Sequence, residues 1–391
     1  MRIRAALALL VTLPFLLGAD PPAKENPFPG GTNPDGSLRP SPPLDELFTQ
    51  DAYTEYALLA PGSGQFRIRY LPEETEVGAT ELLNATRAGS ESSEIEVHDP
   101  RTGKASAFTY VPDPKDPQTH IIHAPLPQPV PVGGIGRVEI WKTYKDERTY
   151  QMHGDDIVWV RSLAGYRIAV ILPKGFAFLS SNVAAQLTTT ADGRLKLMFA
   201  NPSGQANPLT IHARKTTATF VPPKTSPPDM FFDDTKTLYD LEAPESHRMR
   251  VERTYSERRP GAVARLETLA ELALRDPQVV DLDTAKPLPL QRDGAATVAR
   301  LEVPIENERQ SAHLRLSGTF DDPSYTTDNG ELVFDRTVQG LRNTVLLPAG
   351  WEVASSSQSG TLGVHSGRAF VAFVNLNAEN RYRVTIRARR R

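Results

Sequence analysis

The chain carries the same long passage twice. Residues Ile157 to Phe178 (IVWVRSLAGYRIAVILPKGFAF) and Leu332 to Val353 (LVFDRTVQGLRNTVLLPAGWEV) align without a gap at a spacing of 175. They share Val158/Val333, Arg161/Arg336, Gly165/Gly340, Arg167/Arg342, Val170/Val345, Leu172/Leu347, Pro173/Pro348 and Gly175/Gly350. The match runs on through Gly193-Arg194 with Gly367-Arg368, Phe199 with Phe373, Asn201 with Asn375 and Thr210-Ile211 with Thr385-Ile386. Upstream it is fainter, in Ala60-Pro61 with Ala243-Pro244, Gly78-Ala79 with Gly261-Ala262, and Asp99, Thr102 and Lys104 with Asp281, Thr284 and Lys286. Such a duplication restricts the chain to two copies of one fold. Each copy, at roughly 160 residues, is long enough to fold alone.

Inside each copy, apolar residues alternate with polar ones over Gln65–Tyr70, Ser93–His98, Arg137–Tyr144, Leu195–Phe199 and Arg381–Arg387, the period of half-buried strands. Asx and glycine turns such as Asp99-Pro100-Arg101-Thr102-Gly103, Ala191-Asp192-Gly193 and Asp328-Asn329-Gly330 separate them. The expectation is an all-β chain of two tandem antiparallel β-sandwich domains. Val263–Leu274 has helix propensity throughout, but its counterpart near Thr80–Ala85 does not, so both are expected as strands. One short helix is expected at Leu44–Ala52.

The chain begins Met1-Arg2-Ile3-Arg4, followed by an apolar run from Ala5 to Gly18 that is too short to span a ~30 Å hydrocarbon core. That is the form of a cleavable export signal, residues 1–19, cut after Ala19. With Cys 0, lipoprotein anchoring is excluded, as are disulfides and thiolate metal sites. Residues 20–44 are a disordered Pro-rich tether. Domain 1 is then expected at 45–220, a second Pro-rich linker at 221–232 and domain 2 at 233–391. The protein is expected to be exported, periplasmic or extracellular, with no membrane span once the signal is cut.

Comparing the copies also assigns faces. Asp335 stands where copy one has Val160, so that side of the strand is wet, and the side of Trp159/Phe334 and Arg161/Arg336 is buried. An arginine kept beside an aromatic on a core face lies over the ring or pairs with a carboxylate at the rim. In Leu172-Pro173-Lys174-Gly175-Phe176 and Leu347-Pro348-Ala349-Gly350-Trp351, proline ends a strand, glycine turns the corner and the aromatic plugs the core. Arg161, Arg336, Arg167, Arg342, Trp159 and Trp351 are thus the repeat-matched binding candidates, with a structural role as the simpler reading.

Chemical motifs are sparse. No HExxH, GxSxG, Walker or Rossmann pattern occurs, and none of the eight histidines has a histidine at its counterpart in the other copy. Asp321, Asp322, Asp328 and Glu331 crowd one hairpin, and calcium, which favours turns rich in carboxylates, is the one cofactor they suggest. Trp141, Tyr144 and Trp159 are near enough in sequence for a sugar-stacking platform, although core positions explain them better. The terminal Arg387-Ala388-Arg389-Arg390-Arg391 is expected to guard an edge strand.

The pattern Gly165-x-Arg167-x-x-Val170-x-Leu172-Pro173-x-Gly175-Phe176, with its second copy ending in Trp351, resembles a group of uncharacterised secreted bacterial proteins with a repeated β-domain. The Leu-Pro-x-Gly-aromatic corner is also similar to corners in β-domains that precede the catalytic domains of some secreted metallopeptidases, whose zinc helix has no counterpart here. The resemblance implies export and β-architecture, and names no activity. A formal charge of −3 argues against a nucleic-acid partner. The class that fits best is a non-enzymatic binding or scaffolding protein of the bacterial cell envelope, taking an envelope protein or glycan as partner. The alternatives are a carboxylate-dependent hydrolase of glycoside-hydrolase type and a purely structural spacer.

Overall fold

The computed structural model describes residues 51–163, 165–201, 207–218, 234–266, 274–293, 296–375 and 381–390. The expected signal, tether and linker lie outside these, as does all of the expected Leu44–Ala52 helix except Asp51 and Ala52, and Ala52 opens a strand instead.

Both copies are all-β and share one topology. In copy one the large sheet runs Gln186–Thr189, Leu195–Ala200, Arg167–Ile171, Ala52–Leu58, Gln65–Glu74, Glu139–Lys145, Glu91–His98, with Gly136–Arg137 beside Gln65–Glu74. In copy two the order is Thr361–His365, Arg368–Val374, Arg342–Leu346, Lys236–Leu241, Arg248–Glu257, Ala312–Asp321, Arg275–Asp281, Lys286–Pro287. Each large sheet packs on a four-stranded one. These are Phe176–Ser181, Asn207–Lys215, Asp156–Leu163, Tyr150–His153 and, correspondingly, Trp351–Ser356, Arg381–Arg390, Glu331–Gln339, Tyr325–Asp328. A three-stranded sheet completes each copy, Glu81–Thr86, Asp116–Pro125, Thr109–Asp113 in one and Gly261–Arg265, Ala296–Ile305, Leu290–Asp293 in the other.

Pairing is antiparallel except at one place per copy. Ala52–Leu58 lies parallel to Arg167–Ile171, and Lys236–Leu241 lies parallel to Arg342–Leu346. The turn signals report hairpins between neighbours in sequence, whereas a parallel pair needs a long crossover, which leaves no local signature.

The two faces of each sandwich close on Tyr56, Phe66, Tyr144, Trp159, Val170 and Phe199 in copy one, and on Tyr239, Met249, Phe320, Phe334, Val345 and Phe373 in copy two. The faces are as the repeat implied. Trp159 and Phe334 are buried while Val160 is exposed, and Asp335 pairs with Arg383 at 2.5 Å on the wet side. The proline corners behave alike: Gly175 and Gly350 have φ of +83° and +79°, a conformation that L side chains resist, and Phe176 and Trp351 are buried behind them. Gly261–Arg265 is a strand and so is Arg275–Asp281, while 267–273, the middle of the helix-prone segment, lie outside the described residues.

The arginine-rich terminus corrects an expectation. Arg381–Arg390 is not an edge strand but is held between Glu331–Gln339 and Trp351–Ser356. Its arginines are spent on carboxylates: Arg387 meets Asp328 and Glu331, Arg389 meets Glu331, and the Arg390 guanidinium lies 5.3 Å from the Trp351 ring centre.

Candidate functional site

The strands Arg167–Ile171 and Arg342–Leu346 are buried on both faces. One face of Arg167–Ile171 feeds its own sandwich. The other looks across to the second copy, where Tyr53, Ala169 and Met198 pack with Leu341. The copies are therefore not two independent beads; they cluster as one compact unit, joined by a seam.

Charge fills the rest of that seam. Arg167 and Arg342, equivalent in the repeat, converge on a single carboxylate, Asp51, with Arg167 Nε at 3.0 Å and Arg342 Nη2 at 2.9 Å from its Oδ2. All three are nearly inaccessible, at 4%, 3% and 3% exposure for Arg167, Arg342 and Asp51. The Arg342 guanidinium also stacks 4.3 Å from the Tyr166 ring centre. Burial alone would push the Asp51 carboxyl up, but Arg167 and Arg342 overcome it and hold the group down at about 2.

Beside this triad, Glu73 of copy one accepts from the Asp51 backbone N–H at 3.2 Å and pairs with Lys236 of copy two at 3.4 Å. Further along, Arg137 makes a bidentate pair with Asp283, at 2.7 and 2.5 Å, and donates to the Ser311 backbone carbonyl and hydroxyl. Arg101 reaches Glu302 at 2.8 Å and Asp281 at 3.3 Å. Backbone bonds Ile135 N–H to Leu282 C=O and Ser311 N–H to Pro100 C=O cross the same boundary.

One cluster in the seam has the composition of a hydrolytic triad. Ser256 Oγ lies 2.9 Å from His313 Nδ1, and His313 Nε2 lies 3.4 Å from Glu73 Oε1. The protons point the wrong way for nucleophilic catalysis. The Ser256 hydroxyl donates to Asp234 at 2.5 Å, so its contact with the imidazole requires Nδ1 to be the protonated nitrogen, and that ring cannot take the serine proton. Burial drives the His313 value below the ordinary histidine range against the pull of Glu73, with Arg137 acting in the same sense as burial. As pH falls through about 6.5 the unfolded chain binds a proton that folded His313 refuses, so the folded state loses stability toward acid. The expected result is a Tm that falls between pH 7.5 and 5.5 in the native chain and falls less in His313→Gln; equal falls would remove His313 from the account.

The other sequence-derived candidates are spread through the copies. Trp159 and Trp351 are core residues, Arg161 lies over three rings in copy one, and Arg336 pairs with Asp322 while its guanidinium sits 4.6 Å from the Phe320 ring centre. Trp141 faces away from Tyr144 and Trp159, with the Arg67 and Arg69 guanidiniums 5.8 and 5.2 Å from its ring centre, so the three form no stacking platform. The calcium candidates are not gathered either. Asp321 is paired with Arg248 and Arg275, Asp322 with Arg336, Asp328 with Arg387, and Glu331 with Arg387 and Arg389. Among the described residues no three His, Asp or Glu side chains come together as a metal's ligand set. Sequence spacing shows which carboxylates share a hairpin but not which arginines arrive from the neighbouring strand. A thermal melt is expected to be the same with and without EDTA; a lower Tm on chelation would restore calcium to the hairpin.

The seam itself was half legible. The repeat singled out Arg167 and Arg342, but Asp51, Glu73, Lys236 and His313 have no motif, and only the second copy's position brings them together.

No family model matches the sequence, and no curated protein is similar to it. Among solved structures it is similar to the M1 zinc metallopeptidase from Deinococcus radiodurans, with 13% identity and a TM-score of 0.30 over 42% of this chain and 42% of that one. A two-domain M1 zinc metallopeptidase mutant bound to L-tryptophan gives 12% identity and a TM-score of 0.30 over the same shares, 42% of each chain. The chain thus spans about two fifths of the length of the proteins it matches, and a likeness this slight bears on neither fold nor activity.

Proposed function

We propose that this is an exported, non-enzymatic scaffolding protein of the bacterial envelope that presents its two β-units in one fixed relative orientation to an envelope protein or glycan. The observation that carries the reading is the sharing of Asp51 by the equivalent arginines Arg167 and Arg342. A tether between independent modules needs no buried ion pairs, since desolvating charges is costly and brings little net stability; what such a network offers is a unique geometry. A rigid double unit suits a protein whose task is to hold surfaces in register. The export signal read at residues 1–19 supports the location.

The test uses the intact mature chain, immobilised and exposed to envelope extract, beside Asp51→Asn folded at low temperature. One defined protein or glycan retained in fixed ratio by the native chain, and weakly by the seam variant, is expected. Turnover of a glycoside or peptide substrate by the native chain, abolished by a single carboxylate substitution, would replace this reading with the hydrolase.

A further inference from the structure

The two copies solve the same electrostatic problem differently, and the difference points to a ligand. In copy two, Arg336 lies over the Phe320 ring and is neutralised by Asp322. In copy one the equivalent Arg161 lies 4.8 Å from the Tyr144 ring centre and 5.3 Å from that of Tyr56. The counterpart of Asp322 is Asp146, which is turned inward on its own loop, accepting from the backbone N–H groups of Arg148 and Thr149 and from the Thr149 hydroxyl. It does not pair with Arg161.

Copy one then adds a second cation where copy two has none. Lys142 occupies the place of Gly318: it pairs with Ile68 as Gly318 pairs with Val251, two residues before the ring position on the same strand. Its Nζ lies 5.3 Å from the Tyr144 ring centre and donates to Asn84 Oδ1 at 2.6 Å. Tyr144 itself replaces Phe320 and so brings a hydroxyl, which accepts from the Arg87 backbone N–H. Neither Lys142 nor Arg161 has a carboxylate partner among the described residues. Both are buried, at 3% and 9% exposure; the Arg161 guanidinium meets the Tyr144 and Tyr56 hydroxyls, while its Nη1 has no hydrogen-bond partner. Buried charge is ordinarily paired, because an unpaired ion in a low-dielectric site is expensive to hold.

We infer that Arg161, Lys142 and the hydroxyl of Tyr144 form a binding site for a phosphate-sized oxyanion, present in copy one and already neutralised in copy two by its own Asp322. The guanidinium supplies directional N–H donors and the ammonium a point charge, the usual division of labour around phosphoryl and sulfuryl oxygens. Burial, reinforced by Arg161, pulls Lys142 down to about 7, so its share of the site is switched off in mild alkali. The inference does not depend on the scaffolding reading; it concerns a site within one copy.

The experiment is a thermal melt with sodium sulfate titrated against sodium chloride at constant ionic strength, at pH 6 and pH 9, on the native chain and Lys142→Met. Expected is a saturable rise in Tm, on the order of 3 °C at pH 6, smaller at pH 9 and absent in the variant. Sulfate also stabilises proteins generally by exclusion from their surfaces, but that effect is linear in concentration and indifferent to Lys142. A linear rise of equal size in both proteins, or no rise at all, overturns the site. Repeating the titration with inorganic phosphate, and with a phosphorylated sugar, distinguishes a free ion from a phosphoryl group carried on a larger molecule.

Discussion

Asp51→Asn is expected to cost about 3–5 kcal/mol, the magnitude for removing one partner from a buried ion pair. The size follows from geometry: one carboxylate, 3% exposed, answers two buried guanidiniums, and its neutral replacement takes that shared charge from both Arg167 and Arg342 at once. In a chain of this size that is a fall in Tm on the order of 10 °C. Asp328→Asn is the matched control. Its pair with Arg387 is exposed on both sides, at 51% and 41%, and surface pairs of this kind contribute roughly 0–1 kcal/mol, so the control should melt within about 2 °C of the native chain. Differential scanning calorimetry of the three proteins at pH 7 decides it. If Asp51→Asn and Asp328→Asn melt together, the seam does not hold the copies. A second consequence is that Asp51→Asn loses the single transition expected of one cooperative unit and shows two, since the seam is what couples the sandwiches.

Lys142→Met is expected to move stability the other way. Folded Lys142 titrates at about 7 against 10.5 for an ordinary lysine, because burial, aided by Arg161, penalises its charged form. Between pH 7 and 10.5 the unfolded chain holds a proton that the folded chain has released, so native stability rises with pH over that window. At pH 7 the lysine costs on the order of 3–4 kcal/mol, and methionine, similar in length and uncharged, removes that cost. The variant should therefore melt several degrees above the native chain at pH 7 in chloride, with the gap closing as the pH approaches 10. A variant that melts below the native chain, or a gap independent of pH, would show that the lysine is charged and well solvated.

Particular residues show what periodicity reads well and what it reads poorly. Trp159, Arg161 and Phe334 were placed on the core face from the exchange of Val160 for Asp335, because strand periodicity couples one wet position to its whole face. The strand Leu195–Ala200 departs from the half-buried expectation: Met198 and Lys196, on the side that alternation makes wet, are buried. Met198 is covered by Leu341 of the other copy, and Lys196 lies over the Tyr53 ring and pairs with Glu55 two strands away, contacts that alternation cannot register. The same limit explains the terminal arginines, whose strand is internal only because Trp351–Ser356 pairs on its far side.

The amino-acid sequence alone determined that this chain is one β-unit made twice, which side of its strands is apolar, and where proline and glycine turn the corners. Those properties live in short-range patterns of burial and backbone freedom that each copy repeats. Tertiary structure alone decided that the copies form one body, that Arg167 and Arg342 share Asp51, and that Arg161 is left without the carboxylate its twin enjoys. These are pairings between residues far apart in the chain, and a charge does not announce in sequence which partner will desolvate with it.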